Sequence, residues 1–116
     1  QEQWAFETGG MVWSSPGVSG GTVHVGSRDN KLYAIDAETG QEQWAFETDR
    51  WEGSSPSVSG GTVYIGSMDG SLYAVDAETG QQQWFFKTDS AVESSPSVSG
   101  GTVYFGSMDG FLYAVE

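Results

Sequence analysis

The chain has 116 residues, of which 37% are hydrophobic and 14% aromatic, enough apolar material for one small folded domain. Acidic residues outnumber basic ones 16 to 4, and the formal charge of −12 repels phosphate backbones and anionic lipid surfaces, which argues against nucleic-acid and membrane partners. Without cysteine the chain has no disulfides, no thiol catalysis and no Cys-ligated zinc, and no apolar run approaches the ~18–20 residues of a membrane span.

The only cations are Arg28, Lys31, Arg50 and Lys87. So acidic a surface suits a protein that stays soluble in concentrated salt, where self-repulsion is screened within a few ångströms, and a halophilic habitat is one expectation. No signal-peptide pattern is present. A start at Gln1 rather than Met reads as a mature or excised piece.

Three copies of one unit fill the chain. Trp4, Trp44 and Trp84 stand at the same point of a 40-residue period, as do Pro16, Pro56 and Pro96, and Tyr33, Tyr73 and Tyr113, with no insertion between them. A fixed period of this size is the signature of a solenoid or propeller.

In chain order, residues 1–8 alternate polar and apolar with Trp4 and Phe6 on one face, which predicts a strand, d. Residues 9–13 match residues 49–53 nowhere and residues 89–93 only at Val12 and Val92, and read as loops free to vary. A short strand a follows over residues 14–19; Pro16 cannot donate to a ladder, so the strand begins at the proline or lies at an edge. Gly20 and Gly21 form a hairpin dipeptide before strand b, residues 22–27, rich in β-branched residues. Residues 28–31 turn into strand c, residues 31–36. Asn30 stands there against Gly70 and Gly110, and these residue types best tolerate a left-handed backbone. Asp36 and Thr39 are placed to bond the backbone of the next turn before Gln41 opens another strand d.

The predicted fold is all-β, a β-propeller of four-stranded antiparallel blades, three per chain. Residues 1–8 would complete a C-terminal blade, with blades at 9–48, 49–88 and 89–116. The last of these holds three strands. Three blades would each have to turn about 120° to close, whereas propellers have ~4–8 blades. The expectation is therefore a homodimeric, six-bladed ring in which the segment from Gln1 to Thr8 pairs with the edge from Phe111 to Glu116 of a second copy.

The run Ala34-x-Asp36-x-x-Thr39-Gly40-Gln41-x-x-Trp44, repeated at Ala74, Asp76, Thr79, Gly80, Gln81 and Trp84, resembles the tryptophan-docking motif of PQQ-like (pyrroloquinoline-quinone-type) β-propeller repeats. The resemblance implies that Trp4, Trp44 and Trp84 each stack on backbone of a neighbouring blade's turn. It departs from the family pattern in having Gln41 and Gln81 where Lys is frequent, and its third motif is complete only if another segment supplies Trp4. The family includes quinone-dependent dehydrogenases that hold calcium through an acidic and an amide side chain, some with an adjacent cysteine pair. Asn30 is the sole Asn here and cysteine is absent, so no cofactor is expected. The family's non-enzymatic propellers, among them a periplasmic scaffold of outer-membrane assembly and extracellular sensors, are the nearer likeness. They imply a periplasmic, extracellular or cell-surface location.

In a repeat protein a residue present in every copy serves the unit, and a specific site comes from positions that differ. Asp29, Asp69 and Asp109 sit in matching turns and read as structural rather than metal-binding. The Ser-Ser-Pro runs have no paired base. His24, whose counterparts are Tyr64 and Tyr104, reads as a half-buried packing residue, and no catalytic residue is expected. Met11, Trp13, Arg50 and Trp51 lie in the variable loops and are the candidate contacts for a peptide or sugar. The expected function is a non-catalytic, self-assembling scaffold or protein-interaction module, as an amplified or engineered repeat. The alternatives are a fragment of a PQQ- and calcium-dependent oxidoreductase and a carbohydrate-binding propeller.

Overall fold

The computed structural model describes residues 4–12, 15–50 and 54–116, and every regular element among them is a strand. The first sheet holds β1 (Gly17–Ser19), β2 (Thr22–Gly26), β3 (Lys31–Asp36) and β4 (Glu42–Glu47) in that order. The second repeats it with β5 (Ser57–Ser59), β6 (Thr62–Gly66), β7 (Ser71–Asp76) and β8 (Gln82–Lys87). The third has only β9 (Ser97–Ser99), β10 (Thr102–Gly106) and β11 (Leu112–Val115). All pairings are antiparallel between chain neighbours.

Local chemistry sets the boundaries. Each inner strand starts immediately after its proline, which has no N–H to give a ladder. Asn30 has φ +74°, against +96° at Gly70 and +94° at Gly110, so the substitution among these residue types follows a backbone need. Between β3 and β4 the register slips: Ala34 faces Trp44 but Ile35 faces Glu42, leaving Gln43 as the extra residue of a bulge, and Ala74 and Val75 do the same in the second sheet.

The sheets stack face to face. Leu32, Ala34 and Trp44 of the first pack on Val63, Ile65 and Val75 of the second, and Leu72 of the second shares a cluster with Val92, Val103 and Phe105 of the third repeat. Val25, Tyr33 and Ile35, on the other face of the first sheet, are covered by Trp4 and Phe6.

Residues 1–3 of the predicted first strand lie outside the described residues, and residues 4–8, whose expected ladder partner is a second copy, pair with no strand of the single chain among the described residues. The loops read as free to vary in sequence are not all surface connections. Val92 is fully buried, its N–H donates to the Ser67 carbonyl at 3.0 Å, and a Cβ on Gly66 would stand 2.4 Å from Val92 Cγ1. That loop is a plug between sheets as well as a connection.

The Ser-Ser-Pro runs also acquire a role. Ser54 Oγ accepts the Gly66 N–H at 2.7 Å and Ser94 Oγ accepts that of Gly106 at 2.6 Å, tying each run to its own sheet. The second serines link successive copies: Ser15 N–H donates to Ser55 Oγ at 2.8 Å and Ser55 N–H to Ser95 Oγ at 3.0 Å.

Candidate functional site

The indoles are seated by two turns of the same sequence. In the first, Asp36 Oδ1 accepts the N–H groups of Glu38 and Thr39 at 2.8 and 3.0 Å, the Gly40 N–H reaches the Asp36 carbonyl at 2.8 Å, and Ala37 N–H reaches Gly21 at 2.9 Å. These backbone donors, Thr39 first, hold the Asp36 carboxyl below its usual range. Asp76 and Thr79 build the second turn with the same distances. Trp4 Nε1 donates to the Ala37 carbonyl and Trp44 Nε1 to that of Ala77, both at 2.9 Å. The ring then lies on the glycine that ends the turn: a Cβ on Gly40 would meet Trp4 Cδ2 at 2.6 Å, and one on Gly80 would meet Trp44 Cδ2 at 2.5 Å. Both glycines also have φ near +79°. Ala34 and Ala74 lie opposite Trp44 and Trp84 in the ladders. Trp84 is half-buried, 6.0 Å from the Tyr64 ring, and has no such indole bond among the described residues. The Ala37 and Ala77 carbonyls escaped the sequence reading, although the recurring Ala-Glu-Thr-Gly turn marks them.

Among the described residues β11 pairs with β10 alone, and its outer edge is open. Leu32 and Leu72 are 0% exposed, but Leu112, their counterpart, is 77% exposed, and Phe111 and Tyr104 beside it are also exposed. Residues 1–8 read the same as residues 41–48, the segment that contains the outer strand β4. The chain thus carries an edge without a strand and a strand-like segment without an edge.

Trp13 and Trp51, two of the four loop candidates, lie outside the described residues. Met11 is 59% exposed, and its carbonyl accepts the Arg28 N–H at 2.9 Å. Arg50 lines an open cavity of about 450 Å³ with Met68, Asp69, Lys87 and Asp89. Met11 does not line that cavity. The turn aspartates serve their own turns. Asp69 bonds the Ser71 N–H at 2.9 Å and the Tyr73 hydroxyl, Asp109 bonds the Tyr113 hydroxyl at 2.6 Å, and Asp29 bonds that of Tyr33. Burial and then the Asp29 bond push the Tyr33 phenol up to about 12. Among the described residues no three His, Cys, Asp or Glu side chains converge as metal ligands.

His24 is buried more deeply than a half-buried strand residue. It is 1% exposed, packed 5.7 Å from the Trp44 ring, and neither ring nitrogen has a hydrogen-bond partner. Burial lowers its pKa below the ordinary 6.5, with the Gly17 backbone pulling weakly the other way. The unfolded chain therefore binds a proton below pH 6.5 that the folded chain refuses until lower pH. Stability is full above 6.5 and is expected to decline as the pH falls from there toward the folded pKa. Denaturant melts at stepped pH check this, with His24→Tyr, the residue type of the other copies, removing that part of the slope. An unchanged slope in the variant would contradict it.

The family profile described as outer membrane protein assembly factor BamB matches residues 1–116. Among solved structures, BamB from Moraxella catarrhalis superposes with a TM-score of 0.82 at 25% identity, covering 92% of this chain and 34% of its own. Quinohemoprotein alcohol dehydrogenase from Comamonas testosteroni gives 0.78 at 26% identity, covering 89% and 18%. The computationally designed protein Ika8 gives 0.76 at 22% identity, covering 86% and 31%, a likeness of fold alone. The chain spans about a third or less of the length of each of these. No curated protein sequence matches it. With the profile extending over its whole length and three antiparallel sheets stacked as described, the chain belongs to the PQQ-like β-propeller repeat family.

Proposed function

We propose that this chain is a non-catalytic half-propeller, a self-assembling scaffold or protein-interaction module completed by a second copy of itself. Its blades are residues 9–48, 49–88 and 89–116. Residues 1–8 of each copy form the outer strand of the partner's third blade. Trp4 and Trp44 lock neighbouring blades in register on the turns shaped by Asp36, Thr39, Gly40, Asp76, Thr79 and Gly80, with Ala34 and Ala74 opposite Trp44 and Trp84 in the ladders. The observation that carries the proposal is the bare edge of β11 in a chain whose first eight residues repeat the segment of β4.

Absence of catalysis is supported by the engagement of Asp29, Asp69 and Asp109 with the tyrosine hydroxyls of their own repeats. Adding PQQ with Ca²⁺ tests it directly. The expected result is an unchanged cofactor absorption spectrum and no dye reduction, and either change would favour the oxidoreductase reading.

The BamB likeness supports a periplasmic or cell-surface location and protein partners. The designed neighbour is compatible with an engineered repeat. The loop-face residues Met11, Trp13, Arg50 and Trp51 supply any further specificity. The acidic surface fits a high-salt habitat, in which case the sheet signal in circular dichroism holds as salt is raised and a loss of signal counts against it.

A further inference from the structure

The chain has four cations, and two of them line one cavity. Arg50 and Lys87 border the open space of about 450 Å³ beside the turn that carries Asp69 and Gly70. Both depart from the repeat: the counterparts of Arg50 are Gly10 and Ser90, and those of Lys87 are Glu7 and Glu47. A pair of charges that a single copy acquires, on one cavity and against the sign of a chain at −12, serves something other than the shared blade. The backbone around the cavity is fixed. Thr88 N–H donates to the Gly70 carbonyl at 2.7 Å and the Thr88 hydroxyl to the Ser90 carbonyl at 2.6 Å. The Lys87 ammonium lies 3.5 Å from the Asp69 carbonyl oxygen, which keeps it beside the same turn.

Two carboxylates share the lining, and they differ. Asp69 is spent on its own turn, where it takes the Ser71 N–H and the Tyr73 hydroxyl. The Asp89 carboxylate accepts no hydrogen bond among the described residues, and only its backbone N–H is engaged, to Asp109 at 3.3 Å. The cavity thus offers two cations and one uncommitted carboxylate, with half-buried Met68 and Ala91 as its apolar part. A dianion would be repelled by Asp89, and a plain amine would leave Arg50 and Lys87 unanswered. A peptide carries its two terminal charges at opposite ends. We infer that this cavity binds a free α-amino acid with an apolar side chain, its carboxylate on Arg50 and Lys87 and its ammonium on Asp89. The guanidinium fork suits a carboxylate, and the volume falls within the roughly 300–1,000 Å³ of small-molecule pockets. The inference rests on the reading of Arg50 as a loop-face contact, extends it to Lys87 and Asp89, and does not depend on closure of the ring.

NMR titrations of the isotope-labelled full chain compare L-phenylalanine with hydrocinnamate, which lacks the ammonium, and phenethylamine, which lacks the carboxylate. L-Phenylalanine is expected to shift the backbone amides of Gly70, Asp89 and Ala91 and to bind about tenfold more tightly than either analogue. Arg50→Ser and Lys87→Glu install residue types that other copies carry at these positions. Each is expected to weaken L-phenylalanine about tenfold without weakening phenethylamine, and Asp89→Asn is expected to bring L-phenylalanine down to the level of hydrocinnamate. Equal affinity for L-phenylalanine and either analogue, no shifts with any of the three, or binding indifferent to Lys87→Glu would overturn the proposal. The two readings fail differently. Indifference to Arg50→Ser with the preference for L-phenylalanine intact refutes the loop-face role of Arg50 and leaves the amino-acid site, whereas dependence on Arg50 without that preference keeps the role and removes the site.

Discussion

Light scattering on the purified chain is expected to give twice its 12.4 kDa mass, and removal of residues 1–8 is expected to abolish that species in favour of aggregate. The lone chain leaves Leu112, Tyr104 and Val18 at 77%, 41% and 68% exposure, on the faces and edges that the stacking of successive sheets would otherwise cover. Burying a side chain of this size contributes about 1.5–3 kcal/mol. Association costs an estimated 4–15 kcal/mol in lost translational and rotational freedom. One such contact would be marginal against that cost. Two copies closing a ring make the contact twice while losing that freedom once, which moves the balance toward the dimer. Without residues 1–8 the β11 edge stays bare, and a bare hydrophobic edge pairs indiscriminately. A mass of one chain, or of three, would refute the ring.

Replacing Trp44 with alanine is expected to cost about 3–5 kcal/mol, the range for a large buried aromatic. Trp44 is 8% exposed, sits in the cluster joining the first two sheets, and donates to the Ala77 carbonyl at 2.9 Å. Trp84→Ala should cost clearly less, because that side chain is half-buried and its indole nitrogen has no comparable bond among the described residues. Trp44→Phe separates the parts: it keeps most of the apolar body and removes the donor, so a loss near 1 kcal/mol belongs to the hydrogen bond. Urea melts of the three variants decide it. Equal losses for Trp44→Ala and Trp84→Ala would show that the seat on the neighbouring turn contributes nothing.

What the sequence made legible was whatever local chemistry decides. Strand β3 occupies residues 31–36, the bounds read for the strand that follows the turn at residues 28–31, and the inner strands begin at their prolines. Asn30 gave away a left-handed turn because few other residues accept that backbone. What stayed hidden depends on neighbours distant in the chain. Residues 4–8 have strand-like alternation but no ladder, since pairing is a property of two segments. Val92 looked like loop variation until its place between two sheets was visible. His24 looked half-buried because strand alternation does not reveal how closely the next sheet approaches. Of the candidate contacts, Arg50 lines a cavity and Met11 does not, and no periodicity could have separated them.

The shared octapeptide at residues 1–8 and 41–48 has a kinetic corollary. Either copy could dress a naked β11, so a nascent chain risks donating the wrong one and tangling. The second copy is joined to β3 by a tight turn, and a hairpin zips in about 1–10 μs, long before two dilute molecules meet. In the proposed ring only the leading copy would then remain unspent when an encounter occurs. Order of events, rather than any difference in letters, would keep the assembly free of mistakes.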